Sequence, residues 1–296
     1  MALENVLSCP ICGGSQFKDF LLCQDFTTSQ EKFNLLSCIQ CDLVITSPRP
    51  DSNSLGRYYK SDSYISHTGV KKGMLNSVYL TVREYTLQWK VRILKDFQTT
   101  GSVLDYGCGT GEFLNQMRKS GFDVTGVEPS PDARKKTELL IGKSVHEDIT
   151  QIGHRKFDLI TLWHVLEHVS DLQEKLLHLK SLLTDTGTIF IAVPNHQSFD
   201  AMLYKEHWAG YDVPRHLWHF SKENMKRLLS NSDLTLKEIK PMKLDSFYVS
   251  LLSENYKYKK KNSVAKAISG LANGLKSNRV AKKNMNYSSL IYIARP

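Results

Sequence analysis

The stretch Val103-Leu104-Asp105-Tyr106-Gly107-Cys108-Gly109-Thr110-Gly111-Glu112-Phe113-Leu114 constrains this chain more than any other. Apolar residues run into an acid, three glycines follow at alternate positions, and an apolar helical pattern starts at once. That order predicts a short buried strand, a tight turn and a helix N-terminus. Bare glycine backbone lets a ligand lie directly against such a turn. Dinucleotides use it with a further glycine and with pyrophosphate on the helix N-terminus. Here Glu112 takes that glycine's position. A carboxylate repels pyrophosphate, so the dinucleotide reading fails.

Downstream, apolar runs and helical patterns alternate, which predicts a parallel sheet with helices on both faces. Phe122 to Glu128 reads as the second strand, ending in an acid 23 residues beyond Asp105. An acid there accepts ribose hydroxyls in nucleotide folds. Ser130-Pro131 starts a helix, as N-cap and first helical residue. A short strand leads into Val145-His146-Glu147-Asp148-Ile149. Phe157 to Trp163 is apolar enough for a strand buried on both faces. Ser170 and Gln173 have the spacing of a capping box. Thr188 to Pro194 is the fifth strand and Ser288 to Ala294 the last. Before the first strand, Val78, Val82, Tyr85, Trp89, Ile93 and Phe97 recur at helical spacing. Ligands of such sheets lie outside the C-terminal strand ends, where the strand order reverses.

The order Asp105-x-Gly107-x-Gly109-x-Gly111 closely resembles the first motif of class I S-adenosylmethionine-dependent methyltransferases. His164-Val165-Leu166-Glu167-His168-Val169 resembles the fourth motif of their ubiquinone-biosynthesis and sugar-type members. The resemblance implies a Rossmann-like, mostly parallel sheet with an antiparallel last strand. It implies S-adenosylmethionine as cofactor, bound by Asp105, Gly107, Gly109, Gly111, Phe113, Glu128, Asp148, Ile149, Trp163 and His164. An acid beside the loop suits that ligand's sulfonium and amino group.

A long aromatic connection follows the fifth strand and closes on Pro214-Arg215-His216-Leu217-Trp218-His219-Phe220-Ser221. Ser221 caps the next helix, with Phe220 and Met225 placed as a hydrophobic staple. A histidine held just before a rigid element is a natural base near neutral pH. The segment resembles that of zinc-containing sugar C-methyltransferases. The resemblance gives His216 the place of their catalytic histidine and His168 that of a second active-site histidine. His219 stands where those enzymes have tyrosine and Arg215 where they have glutamate; His219 is retained as a third catalytic candidate.

Four of the six cysteines form two C-x-x-C pairs, Cys9/Cys12 and Cys38/Cys41. This predicts a closed structural zinc site. Phe17 to Leu22 and Phe33 to Leu36 read as short strands between them. Three regions result: a zinc ribbon over 1–47, a linker and entry helix over 48–98, and a methyltransferase domain over 99–296. The last includes a substrate-side insertion at about 195–220 and a basic segment at about 255–283. Tyr58 to His67, polar and aromatic, reads as a lid or a linker.

The net charge of +9 is local: from Tyr256 onward there are ten Lys or Arg and no acid, leaving 29 basic against 30 acidic residues elsewhere. A near-neutral body argues against nucleic acid as partner. The basic segment suits an anionic membrane surface or a phosphate-bearing substrate. No apolar run is long enough to span a bilayer and no leader pattern opens the chain, so a soluble cytoplasmic protein is expected. The expected activity is methyl transfer to an O, C or N atom of a small-molecule, sugar, glycan or lipid-linked acceptor. An RNA methyltransferase and a non-catalytic zinc-ribbon interaction module are the alternatives.

Overall fold

The structure, a computed structural model, describes residues 3–59 and 74–296. Near the N-terminus β1 (Phe17–Gln24), β2 (Lys32–Cys38) and β3 (Val44–Thr46) form an antiparallel sheet. Each cysteine pair closes on a residue in the left-handed region, Gly13 at φ 74° and Asp42 at φ 56°. Asp42 thus does the work of glycine, which a short polar side chain allows. The sheet does not stop at the ribbon. Strand Trp218–His219 adds to β3, with Trp218 opposite Ile45 and His219 opposite Val44. Helix α5 (Lys222–Asn231, below) reaches both knuckles: Asn224 donates to Cys41 O and Asn231 to Ile11 O, each at 2.7 Å.

The entry helix α1 (Met74–Lys95) leads to β4 (Ser102–Tyr106), α2 (Glu112–Lys119), β5 (Asp123–Val127), α3 (Pro131–Ile141), β6 (Phe157–Trp163), α4 (Leu172–Ser181) and β7 (Leu183–Pro194). After the aromatic connection come α5, β8 (Thr235–Pro241), α6 (Asp245–Lys257), α7 (Ser263–Asn284) and β9 (Ser289–Arg295). The six-stranded order is β8-β9-β7-β6-β4-β5. Strands β4 to β7 run parallel, and β9 lies antiparallel between β7 and β8. The first strand, β4, has β5 on one flank and β6 on the other, so the order reverses at β4.

Several expectations are corrected. The short strand expected ahead of Val145 does not form, and His146 makes only an isolated bridge to Val127. Ser170 builds no capping box: α4 starts after Asp171, without a side-chain cap. Val82 and Tyr85 of α1 are exposed, while Val91, Ile93 and Leu94 are buried. The earlier part of that helix meets α2 through polar contacts, Arg83 to Glu112 and Gln116 to Glu84. Val78 and the stretch 60–67 lie outside what can be described. Gly270 and Gly274 lie where α7 packs on α6. They are its contact points, because an added Cβ would come within 2.9 Å of Leu251 Cα and 2.8 Å of Phe247 Cα in α6.

Candidate active site

The glycine loop is strapped to the neighbouring strand. Gly107 and Cys108 both donate their N–H to Val127 O, at 2.8 and 3.0 Å. Glu128, just past β5, accepts Gly109 N–H at 2.8 Å on Oε2 and Ser130 N–H at 2.9 Å on Oε1. Gly109 has φ 56°, and a Cβ there would meet nothing within 4 Å, so open space borders its bare backbone. Asp105 is buried in β4 and accepts from Thr161 Oγ1 at 2.6 Å. The two carboxylates therefore stand on adjacent strands with the loop between them. Burial raises the Asp105 carboxyl to about 7, against the Thr161 hydrogen bond and the charge of Lys90. Glu112, as its position in the sequence implies, sits at the N-terminus of α2, where Thr110 and Arg83 engage it.

Around this rim the other expected residues gather. Asp148 caps the turn Ile149–Ile152 by accepting Thr150 N–H at 2.9 Å, and Ile149 is buried. Burial, then the charges of Asp148 and Glu128, raise the Tyr106 phenol to about 12. Phe113 is buried in α2, its ring edge-on to Trp163 with centroids 5.2 Å apart. Lys90 of α1 lies 4.2 Å over the Trp163 ring, and burial lowers its amine to about 8. Trp163 Nε1 is buried and makes no hydrogen bond. His164 sits at φ 57°, with Nε2 2.9 Å from Asp245 Oδ2 and Nδ1 3.4 Å from Glu167 Oε1. Burial opposes its charge, but the two carboxylates outweigh that and hold it at about 9, as an imidazolium.

The second cluster lies one turn further along the chain. His168 Nδ1 is 3.0 Å from Arg215 O and 3.1 Å from the Tyr59 hydroxyl. His216 Nδ1 is 2.9 Å from Gly210 O. The two rings meet edge to face at 4.6 Å. Burial and the neighbouring His216 push His168 down to about 4. Glu167 is fully buried beside them. His219 bonds away from this pair. Its Nε2 is 3.0 Å from Thr46 Oγ1, and burial drives it far below the usual histidine range. It belongs to the seam with the ribbon sheet.

Lys90, Asp245 and Glu167 had no assigned role in the sequence, nor did the Arg215 network. Arg215 is buried with Nη2 3.0 Å from Asp25 and 2.5 Å from Asp212, and Nη1 3.0 Å from Tyr58 O. It ties the ribbon to the aromatic connection. The i,i+3 spacing of Asp212 and Arg215 was visible; the reach to Asp25, 190 residues away, was not.

The four cysteines meet as a cluster. Their Sγ atoms all lie within 4.8 Å of one another, with Cys9–Cys41 at 3.4 Å and Cys12–Cys38 at 3.5 Å. Thiolates around one tetrahedral zinc stand about 3.8 Å apart, given a Zn–S bond of about 2.3 Å. The donor set and its spacing fit that ion.

The sequence pattern of a methyltransferase-domain family matches residues 80–239. The ubiquinone biosynthesis O-methyltransferase of Actinobacillus pleuropneumoniae is 38% identical over 106 residues, 31% of this chain and 45% of that one. An uncharacterized methyltransferase of Alkaliphilus oremlandii is 30% identical over 140 residues, 40% of this chain and 60% of that one. The chain thus spans about half the length of the curated relatives it matches. The crystal structure of magnesium protoporphyrin IX methyltransferase from Synechocystis PCC 6803 with bound SAH superposes with a TM-score of 0.53. It is 14% identical and covers 81% of this chain and 97% of that one, a likeness of fold.

Proposed function

The chain belongs to the methyltransferase-domain family, and from that premise we propose that it moves a methyl group from S-adenosylmethionine to a small-molecule, sugar or lipid-linked acceptor. The observation that carries this reading is the open, bare backbone at Gly109 between Asp105 and Glu128. Glu128 holds the ribose hydroxyls, and Asp148 with Ile149 borders the adenine. Asp105 faces the ligand's amino group, and Lys90 offers its carboxylate a cation. When bound, the ligand supplies an electrophilic methyl carbon on a sulfonium. The chain's own part is positioning and exclusion of water.

The acceptor lies against the second cluster. His216 donates its Nδ1–H to Gly210 O, which leaves Nε2 as a lone pair for the acceptor's proton. His168 packs against it and assists. His219, bound to Thr46, takes no part. A cleft of about 540 Å³ lined by Phe26, His207 and Tyr256 to Lys261 supports an acceptor with an anionic, phosphate-bearing portion. Asp212 couples the two: it lines the neighbouring hollow with Tyr256 and stands 3.9 Å from His216 Nε2. Zinc at Cys9, Cys12, Cys38 and Cys41 supplies stability to the ribbon and no chemistry, since four thiolates leave no open position.

His216→Ala is expected to lower turnover about a hundredfold to ten-thousandfold. Cofactor affinity, measured by calorimetry, stays close to that of the natural chain. Full activity in the variant would end the assignment.

A further inference from the structure

We propose that helix α7 docks this protein on an anionic lipid surface. Strands β8 and β9 are antiparallel neighbours, with Pro241 opposite Leu290. Such a pair needs only a short hairpin turn. Residues 242–288 intervene instead, and most of them build the helical pair α6 and α7. The sheet itself does not require that pair.

The pair is packed inside out. A surface helix ordinarily turns its large apolar residues to the core and its polar ones to water. In α7 the buried residues are Gly270, Gly274, Ser277 and Ala281. On α6 they include Ser246, Ser250 and Ser253, and Ser246 Oγ donates to Gly274 O at 3.1 Å. Meanwhile Val264, Ile268, Leu271 and Leu275 of α7 are 66, 64, 49 and 43% exposed. At 3.6 residues per turn these four fall within about 60° of one another around the helix axis. They make one continuous apolar stripe. Small residues inside, with large apolar ones outside, is how helices pack when lipid is their surroundings.

Charge selects the occupant. The stripe's line continues into Arg279 and Lys282, both exposed, with exposed Lys283 beside them. Exposed Lys259 and Lys260 precede its other end. No Asp or Glu occurs from Tyr256 onward. Antiparallel pairing of two copies along the stripe would bring these two basic ends together, and like charges in an interface oppose association. An anionic bilayer answers both features. Its acyl boundary takes the apolar stripe, and its headgroups take the cations at either end. Tyr258, exposed in the turn before α7, adds a ring of the kind that settles at headgroup level.

The docking surface does not depend on the methyl transfer proposed above. Its corollary does rest on that reading: of the acceptor classes, it favours the lipid-linked one. Tyr256 to Lys261, which line the basic cleft, run straight into Asn262, the N-cap of α7. The cleft therefore stands beside the docked helix, where headgroup phosphates lie.

Co-sedimentation of the full chain with vesicles tests the surface. One set is phosphatidylcholine alone; the other is equal parts phosphatidylcholine and phosphatidylglycerol. Binding is expected to the anionic set only, and to weaken as salt is raised. Ile268→Asp with Leu271→Asp is expected to weaken it about a hundredfold. Arg279→Ala with Lys282→Ala is expected to weaken it about 25-fold, roughly fivefold for each cation. All four side chains are exposed, so the unfolding temperature of both variants should match that of the unmutated chain. No binding, equal binding to both sets, or full binding by the Ile268/Leu271 variant would overturn the surface. A dimer in solution that this variant dissociates would assign the stripe to a second copy and overturn it as well. Neither cofactor nor acceptor enters the assay, so its failure would leave methyl transfer standing.

Discussion

The cofactor rim and the acceptor side are built in different ways. At the rim, Asp105, Gly109 and Glu128 come from two adjacent parallel strands and the loop between them, within 24 consecutive residues. The acceptor side is assembled from distant pieces. Tyr59 meets His168, Thr46 meets His219, and Asp25 meets Arg215, across 109, 173 and 190 residues. The rim is a local product of a strand–turn–helix unit; the acceptor side exists only when ribbon, β6 and the aromatic connection have come together. The ribbon is thus a wall of the proposed substrate side as well as an appendage, its sheet continued by Trp218–His219.

The sharpest way to break this contrast is Arg215→Ala. Removing the buried guanidinium leaves the buried Asp25 carboxylate without its cation and is expected to cost about 3 to 5 kcal/mol of stability. Thermal unfolding followed at the ribbon and at the central sheet measures it, with the ribbon side loosening first. Cofactor affinity below the transition should hardly change, because the rim does not depend on that network. A parallel loss of cofactor binding would show that the two sides are one unit.

A smaller effect sharpens the rim's side of the contrast. Burial holds Asp105 at about 7 in the free chain, and a bound cationic ligand favours its ionised form. Above about pH 8 the contribution of Asp105 to S-adenosylmethionine affinity is therefore expected to be constant. It should fall as pH drops through 7, by up to tenfold, or about 1.4 kcal/mol, per unit. His168, held at about 4, contributes nothing in this range. Calorimetry across pH measures the slope; flat affinity would remove Asp105 from the ligand's surroundings.

The same division explains what the sequence made legible. The order of elements, the acid–glycine loop and the paired cysteines follow from local spacing, the antiparallel last strand from the family resemblance, and the structure has them. Local spacing misled where tertiary contact decides. Helix propensity disfavours Gly270 and Gly274, yet they admit the backbone of α6. Val82 and Tyr85 fitted an apolar stripe, yet both are exposed, while Val91, Ile93 and Leu94 are buried. His219 has the spacing of an active-site residue, but its ring turns to Thr46 on a strand that no local pattern could place beside it. Glu167 stood in plain view within a quoted motif. Its meaning depends on being buried between imidazoles from two segments, 49 residues apart from Glu167 to His216.

The most direct test of the whole account is a calorimetric titration of S-adenosylhomocysteine into the unmutated chain and into Glu128→Ala. We expect one site per chain, and a loss of about 1.5 to 3 kcal/mol in the variant, the worth of hydrogen bonds to a charged group. No heat of binding in the unmutated chain, or equal affinity in both, would contradict a nucleoside held between Asp105 and Glu128.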